Sequence, residues 1–589
     1  MPLIPVVGRK AWKMRALVGA LYLVLALGAV TMVYPFLVML GASAESQYEK
    51  ASFDLVPRYF YSEPALFGKY AEDKYRGDMG QVNAAYGTDY AALQDVTPPH
   101  ALRQDQVGVW DQFAAALPAR YRSAGFGGAA AAFSPSPLLD RYHGWLRAHF
   151  RGNVRAMDRA YAQEDEDFQT VFPPFERPTA HTWTPDRGPK AQDWAAFQAT
   201  LPPNFFVVVG ADAVYQQWLK EEAYPNLKAL NAAWGTHAAA YTQITLPARP
   251  VGNAAARKDW ETFVRTKLPF RDIRVGPSAL PAYQSFLKTR AGSDAVRADA
   301  LPDPDALPAV GPPLLDWIDF LKVAPLAALS ADTPETRWRA AGHSDTPPVR
   351  DSDWAYVRAH TAALRLDYAT RNYALVTQYV LLHGRAVWVT VIFCLLAILS
   401  TLLVNPLCAY ALSRYNLSYG NAVLLFLLAT MSFPGEISLI QNFLLLKQFH
   451  LLNTFWALIL PGAASGYSIF LMKGFFDSLP RELYEAGMLD GAGELRMFWD
   501  ITLPMSRPIF GYISFIAFTA AYGSFLYALT ICQDHRMWTI MVWLYELQSS
   551  GAPMYVMMAA LTLASVPTLL AFLLAQRVIM RGVILPSFK

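Results

Sequence analysis

The sequence predicts an all-α polytopic membrane domain interrupted by a large soluble insertion, helix-rich and α+β in character, that contains repeats. Three observations carry this. Apolar residues make up 54% of the 589-residue chain and charged residues only 16%, against about 25% charged in ordinary soluble proteins. The apolar excess is gathered into long uncharged runs. Between the first and second of these lie about 340 residues of soluble composition in which short phrases recur. Length alone allows three to four domains at about 150 residues each. A net charge of +3 gives no basic field for nucleic acid. The cysteines are Cys394, Cys408 and Cys532, so the insertion has neither a disulfide framework nor a thiolate metal site.

The first run, Ala16 to Ala44, has no Asp, Glu, Lys or Arg. It follows a basic start (Arg9, Lys10, Lys13, Arg15) but exceeds the roughly 7–15 apolar residues of a signal peptide, and a retained helix is expected. Later runs cover the 28 residues between Arg385 and Arg414, Arg414 to Lys447 with Glu436 as its one charge, Asn453 to Met472, Pro508 to Gln533 and Leu547 to Gln576. About 20 apolar residues cross a hydrocarbon layer about 30 Å thick. Six spans are therefore expected, near 16–41, 386–412, 420–446, 453–473, 508–532 and 555–577. Lys and Arg concentrate in the N-terminal tail, the loop after span four and the C-terminal tail, while the opposite short loops hold only Lys447 and Arg536. That bias puts both termini and the loop 474–507 in the cytoplasm and the insertion outside. The domains are then 1–45 (tail and first span), 46–380 (exported insertion) and 381–589 (spans two to six).

In the insertion, Asn83-Ala-Ala-Tyr-Gly-Thr88 recurs as Asn231-Ala-Ala-Trp-Gly-Thr236, with a degenerate copy around Asp158-Arg-Ala-Tyr161. Trp110-Asp-Gln-Phe113, Asp193-Trp-Ala-Ala-Phe197, Asp259-Trp-Glu-Thr-Phe263 and Asp316-Trp-Ile-Asp-Phe320 form a second series, the first three leading into Leu-Pro. The repeating unit reads as a helix opening with Asp-Trp-x-x-Phe, a Leu-Pro turn, a short strand such as 205–209, and a second helix. Stacked units bury faces no single unit could bury alone, so the fixed aromatic positions are expected in the core. With no cysteine, the segment should fold under reducing conditions.

The cytoplasmic loop reads Ser478-Leu-Pro-Arg-Glu-Leu-Tyr-Glu485-Ala486-Gly487-Met-Leu-Asp490-Gly491-Ala492, then Ile501-Thr-Leu503-Pro504. Pro480 suits a first helical turn, Glu482 and Glu485 suit the positive end of a helix dipole, and Gly491 suits a helix end. The small residues 486, 487, 491 and 492 leave room for another surface. Glu436 is an acid inside a predicted span, where a charge usually faces a bundle interior or cavity, or stands near a helix break at Phe433-Pro-Gly.

Here the chain resembles the permeases of binding-protein-dependent ABC importers, whose signature is Glu-Ala-Ala, three residues, Gly, nine residues, Ile-x-Leu-Pro. Glu485, Ala486, Gly491, Ile501, Leu503 and Pro504 match at that spacing, and Gly487 replaces the second Ala. Ala409-Tyr-Ala-Leu-Ser-Arg414, Phe433-Pro-Gly-Glu436 and Asp490-Gly-Ala492 are similar to the carbohydrate-uptake, MalG-like branch. The resemblance implies a type I permease fold and a coupling helix near 482–492 that docks in a separate ATPase, with Glu485 as its acidic contact. It implies a MalF-like partner permease, an ATP-binding-cassette dimer and a periplasmic solute-binding protein, in the inner membrane. The chain has no G-x-x-x-x-G-K-[ST] loop, so it should bind no ATP itself and needs no cofactor. The competing reading is a membrane-anchored periplasmic protein that binds or processes carbohydrate. The phrase Asn231-Ala-Ala-Trp-Gly-Thr236 is similar to a stretch of some β-galactosidase-like enzymes, but it does not include their catalytic carboxylates.

Overall fold

The computed structural model describes residues 12–49, 54–127, 135–165, 167–291, 299–307, 311–343, 346–379, 385–415, 417–430 and 435–582. The chain divides into two compact units, residues 45–369 and the flanking residues 1–44 with 370–589. The flanking unit opens with α1 (Trp12–Ala42).

The inserted unit repeats one order of elements. A helix with an aromatic face is followed by a short capped helix, a helix carrying Trp-x-x-Phe, a proline, a 3-10 turn and a strand of two or three residues. The first passage is α2 (Glu63–Lys74), α3 (Met79–Tyr86), α4 (Gln104–Ala116) and β1 (Arg122–Ser123). The second is α5 (Pro137–His149), α6 (Val154–Tyr161), α7 (Pro189–Gln198) and β2 (Val207–Val208). The third is α8 (Asp212–Trp218), α9 (Leu227–Trp234), α10 (Ala254–Thr266) and β3 (Ile273–Val275). A fourth, with residues 292–298 and 308–310 outside the described ones, has α11 (Leu280–Ala291), α12 (Pro312–Val323) and β4 (Leu329–Ala331). Two helices remain, α13 (Pro334–Ala340) and α14 (Val349–Ala359), before α15 (Thr361–Thr377).

The repeated phrases do repeated work. Asp78, Asn153 and Asn226 cap α3, α6 and α9 by accepting from the backbone N–H three residues on, which satisfies an orphan donor of the first turn. Those helices end at Gly87, Ala162 and Gly235 with φ of 64°, 52° and 68°, a region glycine enters at little cost. In the two strict copies the asparagine clamps the following turn. Asn83 Oδ1 accepts from Tyr90 N at 2.8 Å and Thr88 Oγ1 at 3.0 Å, and Asn231 Oδ1 from Ala238 N at 3.0 Å and Thr236 Oγ1 at 2.9 Å. The aromatics of the Trp-x-x-Phe series form the core, with Trp110 and Trp194 3% exposed and Trp260 and Trp317 1% exposed. Tyr142 and Tyr283 meet Trp194 and Trp317 edge-on, at 4.9 and 5.7 Å, while Tyr215 packs tilted on Phe263 at 4.7 Å.

A rule links the two series. The residue ending the capped helix hydrogen-bonds the aspartate before the core Trp: Tyr161 to Asp193 at 2.7 Å, and Trp234 Nε1 to Asp259 at 2.7 Å. The first passage has Val109 at that place. Its Tyr86 instead donates to Asp353 at 2.9 Å, in the last helix α14. Trp354 then packs edge-on against Phe67 of α2 at 5.6 Å. In return, Trp338 of α13 packs on Trp110 and Phe113 of α4 at 5.4 and 5.1 Å. Each end of the unit completes the other's unfinished repeat. Asp353-Trp354 is a further copy of the Asp-Trp phrase, unmarked in the sequence because Val357 stands where the series has Phe.

The strands are shorter than the expected run 205–209, because a 3-10 turn takes Pro203–Phe205 and leaves two residues to pair. Strands β1 and β2 pair antiparallel with Arg122 opposite Val208, and β3 and β4 with Ile273 opposite Ala331. In the acidic run near 164–167, Asp167 caps a 3-10 turn by accepting from Phe168 N at 2.6 Å.

Buried carboxyls give this unit a pH dependence. Burial pushes Asp272 up to about 8, against the pull of Arg120 and Arg271, and pushes Glu72 up to about 7. Their folded values lie above the unfolded range near 4. The stability they confer is present below about pH 4 and is lost as pH rises through 7 to 8. Asp332 acts oppositely but lower: the Arg337 and Arg274 hydrogen bonds outweigh burial and hold it to about 2. The unit's Tm is therefore expected to fall from pH 5 to pH 8 by at least about 1–2 °C, the shift one kcal/mol makes at this size given an unfolding entropy of about 2.1 cal/mol/K per residue. Asp272→Asn should flatten that slope in a thermal melt. An unchanged slope would remove Asp272 as its source.

In the flanking unit, Ser43 and Asn372 lie together. Asn372 Nδ2 donates to Ser43 O at 2.8 Å, and Ser43 Oγ meets Tyr373 OH. The two points where the chain leaves and re-enters this unit are thus side by side, as an inserted domain requires. Then follow α16 (Ala386–Arg414), α17 (Gly420–Thr430), α18 (Gly435–Gln448), α19 (Phe455–Ile459) and α20 (Gly466–Asp477). After them come α21 (Arg481–Leu489), α22 (Glu494–Met497), α23 (Leu503–Met505), α24 (Arg507–Tyr522), α25 (Leu526–Ile531), α26 (Ile540–Ser549) and α27 (Met554–Gly582).

Among the described residues three helices are long and apolar enough to cross a membrane: 14–42, 386–414 and 554–577. The expected third span is divided between α17 and α18, with 431–434 outside the described residues. The expected straight fourth span is a pair, Phe455–Gly462 and Gly466–Asp477, bent by 53°. Pro461 and Gly462 interrupt the helical ladder there. Asn405, fully buried in α16, takes up the freed groups, donating to Ala463 O at 3.1 Å and accepting from Ser465 N at 2.7 Å. In hydrocarbon, where water cannot substitute, such a bend needs a partner of this kind. Asn405→Ala should cost about 1–3 kcal/mol for each group left unpaired. The check is the Tm of the detergent-solubilised chain, and an unchanged value would show that the bend stands without Asn405.

Candidate functional site

The segment between α20 and α24 is held by short-range chemistry. Pro480, with φ −55° and ψ 129°, caps α21 from outside rather than sitting in its first turn. Glu482 occupies that turn, where the dipole favours an acid. The helix stops at Gly491, whose φ is +76°. Gly491 N donates to Met488 O at 3.1 Å and Ala492 N to Gly487 O at 2.9 Å, the paired bonds of a Schellman ending. The chain returns through α22, a wide turn over Phe498–Thr502 and α23, and enters α24 after an 82° bend.

This geometry sorts the residues singled out in the sequence into two groups. Glu485, Ala486, Asp490, Gly491 and Pro504 are exposed. Ala492, Ile501 and Leu503 are half-buried and pack against the core formed by Tyr484, Met497 and Phe498 with α16 and α20. Gly487 lies between the groups. A Cβ there would come within 3.3 Å of Ile501 Cδ1 and 3.6 Å of Met497 Sδ, so glycine lets α21 approach the returning chain closely. The exposed face also carries Met488 at 55%, Leu489 at 89% and Trp499 at 61% exposure, an apolar rim beside the acids. Glu436 lies in the first turn of α18, and its side chain is outside the described residues.

Tyr484, Thr502, Tyr410, Glu494 and Arg414 also build the site, though the signature positions include none of them. Tyr484 is buried and its hydroxyl meets Thr502 Oγ1 at 2.8 Å. Tyr410, in the last turns of α16, donates to Glu494 Oε2 at 3.0 Å and packs edge-on against Phe498 at 5.3 Å. Arg414, the last residue of α16, donates to Phe476 O at 2.5 Å and stacks 3.7 Å over the Tyr484 ring. The available signal was Arg414 ending an uncharged run with Tyr410 one helical turn before it. The Arg414 guanidinium thus faces the loop and the end of α20.

The flanking unit is thus a set of apolar helices, two of its runs bent, with a capped loop helix between α20 and α24. Residues 405–584 match the family model of the binding-protein-dependent transport system inner membrane component. The polygalacturonan/rhamnogalacturonan transport permease of Bacillus subtilis is 32% identical over 206 residues, 32% of this chain and 71% of that one. The sn-glycerol-3-phosphate transport permease of Yersinia enterocolitica is 33% identical over 184 residues, 31% of this chain and 66% of that one. The diacetylchitobiose uptake permease of Streptomyces coelicolor is 31% identical over 209 residues, 34% of this chain and 68% of that one. The chain belongs to the binding-protein-dependent transport family of inner-membrane permeases.

Proposed function

We propose that this chain is one permease subunit of an ATP-binding-cassette importer and forms half of a translocation pathway for a sugar or sugar-like solute. A MalF-like second permease would supply the other half. A separate ATPase dimer would dock on the loop 478–507, and a periplasmic binding protein would deliver the solute. The observation that supports this reading most is the loop itself. Its acids and apolar rim are exposed around Glu485 and Leu489 while Tyr484, Ile501 and Leu503 fasten it to the membrane unit. A helix so presented can pass a partner's movement to the spans it is packed on. The basic residues near the span ends support cytoplasmic termini and an exported insertion 46–380, with six crossings counting α17 and α18 together. The kinds of solute named for the relatives support carbohydrate.

The test is co-purification of the full chain with its ATPase and second permease, then labelled uptake in proteoliposomes against a panel of oligogalacturonides, chitobiose derivatives and glycerol phosphate. Recovery of the ATPase with uptake of a carbohydrate is expected. A chain that captures no ATPase would overturn the reading.

A further inference from the structure

We infer that Tyr410, Arg414, Tyr484 and Glu494 form a fastening that makes the loop helix α21, its return segment α22 and the end of α16 one moving body. This rests on the docking role proposed for the loop and adds which side chains transmit it. Three contacts from two side chains converge on the last two turns of α16. Tyr410 donates to Glu494 at the start of α22 at 3.0 Å. The Arg414 guanidinium lies 3.7 Å over the Tyr484 ring in α21. The same guanidinium donates at 2.5 Å to the carbonyl of Phe476, where α20 ends. Each joins a different element to α16, and the loop itself is cross-braced by Tyr484 and Thr502 at 2.8 Å.

The chemistry suits transmission better than simple packing. Apolar contacts alone permit sliding, because they carry little directional preference. The Tyr410–Glu494 bond is charge-assisted and directional, and a guanidinium stacked on an aromatic face is attracted in a way that depends on position. The braces lie within the segment 476–502 and the last turns of α16, while Glu485 and Leu489 stay exposed. Docking and transmission therefore use different residues. Within the loop, α21 is joined to α16 by Arg414 and α22 by Tyr410, so a push on either helix reaches the same span.

The experiment uses the full chain with its second permease and ATPase in nanodiscs, driven by MgATP and vanadate, and needs no solute. Spin labels go on Leu399→Cys in α16 and Arg496→Cys in α22, in a Cys408→Ser background. Leu399 is 63% exposed, the Arg496 side chain is 75% exposed, and Cys394 and Cys532 are buried. The label-to-label distance is expected to hold within about 2 Å through the nucleotide cycle, and to become nucleotide-dependent by the several ångströms of a helix shift in Tyr410→Phe/Arg414→Gln. Tyr410→Phe/Arg414→Lys, which keeps the cation, should fall between. A distance that already moves in the unaltered chain overturns the fastening even where the variants fail to fold. So does one that stays constant in Tyr410→Phe/Arg414→Gln. Failure of the unaltered chain to recover ATPase would instead count against the docking role.

Discussion

Glu485→Lys is expected to lower ATPase recovery and ATP turnover in the assembled complex at least tenfold while leaving the membrane unit folded. Glu485 is exposed on α21, next along the helix from the buried Tyr484 that holds it down. Reversing its charge therefore acts on the partner's side of the contact. Removing one member of a desolvated interfacial charge pair costs about 2–5 kcal/mol, and each 1.4 kcal/mol is about tenfold in affinity. Gly491→Val reaches the same end differently. A β-branched residue at φ +76° costs about 1–2 kcal/mol of strain, enough to unwind the Schellman ending that sets the length of α21. An added Cβ at 491 meets nothing within 4 Å, so the effect is conformational rather than steric. Pull-down stoichiometry and ATP hydrolysis check both variants, with the Tm of the isolated chain as control. Normal recovery and turnover in both would remove the loop helix from coupling.

Asp353→Ala should be the most damaging single change in residues 45–369, at about 3–5 kcal/mol, because it strips a buried cation of its partner. Asp353 is 2% exposed. It pairs with Lys74 and accepts from Tyr75 at 3.0 Å and Tyr86 at 2.9 Å. Its loss strands three donors and opens the junction between α14 and α2–α3 at once. Asp353→Asn keeps an acceptor but not the charge and should cost less. A denaturant titration of the full chain, followed through the tryptophans of the inserted unit, measures both. If Asp353→Ala unfolds at the same denaturant concentration as the unaltered chain, the two ends of the unit are not holding each other.

How far the sequence could be read differs by element. The uncharged runs near 16–44, 386–413 and 547–576 became α1, α16 and α27 because length and hydropathy are local properties that a hydrocarbon layer rewards directly. The helix stop at Gly491 was legible for a similar reason, since a left-handed residue and its two bonds lie within six positions. The aromatic repeats were legible as core because one phrase at one spacing imposes the same face each time. Tyr410 and Arg414 were harder, because their partners Glu494 and Tyr484 are 84 and 70 positions away and nothing in either segment announces the other. Pro504, Ile501 and Leu503 stood together in the motif, yet only packing separated the exposed proline from the two side chains turned inward.

The sequence by itself therefore determined the apolar elements, the capped turns, the repeated aromatic faces and the capped helix of the loop 478–507. These follow from hydropathy, backbone preference and periodicity over a few residues. Tertiary structure alone decided that the fourth apolar run bends by 53° around Asn405, that Tyr86 takes its aspartate from the last helix of the insertion rather than its own repeat, and that Arg414 reaches Tyr484 of the loop. In each case a polar group had to find a partner away from water. Which partner lay within reach depended on segments that only folding brings together.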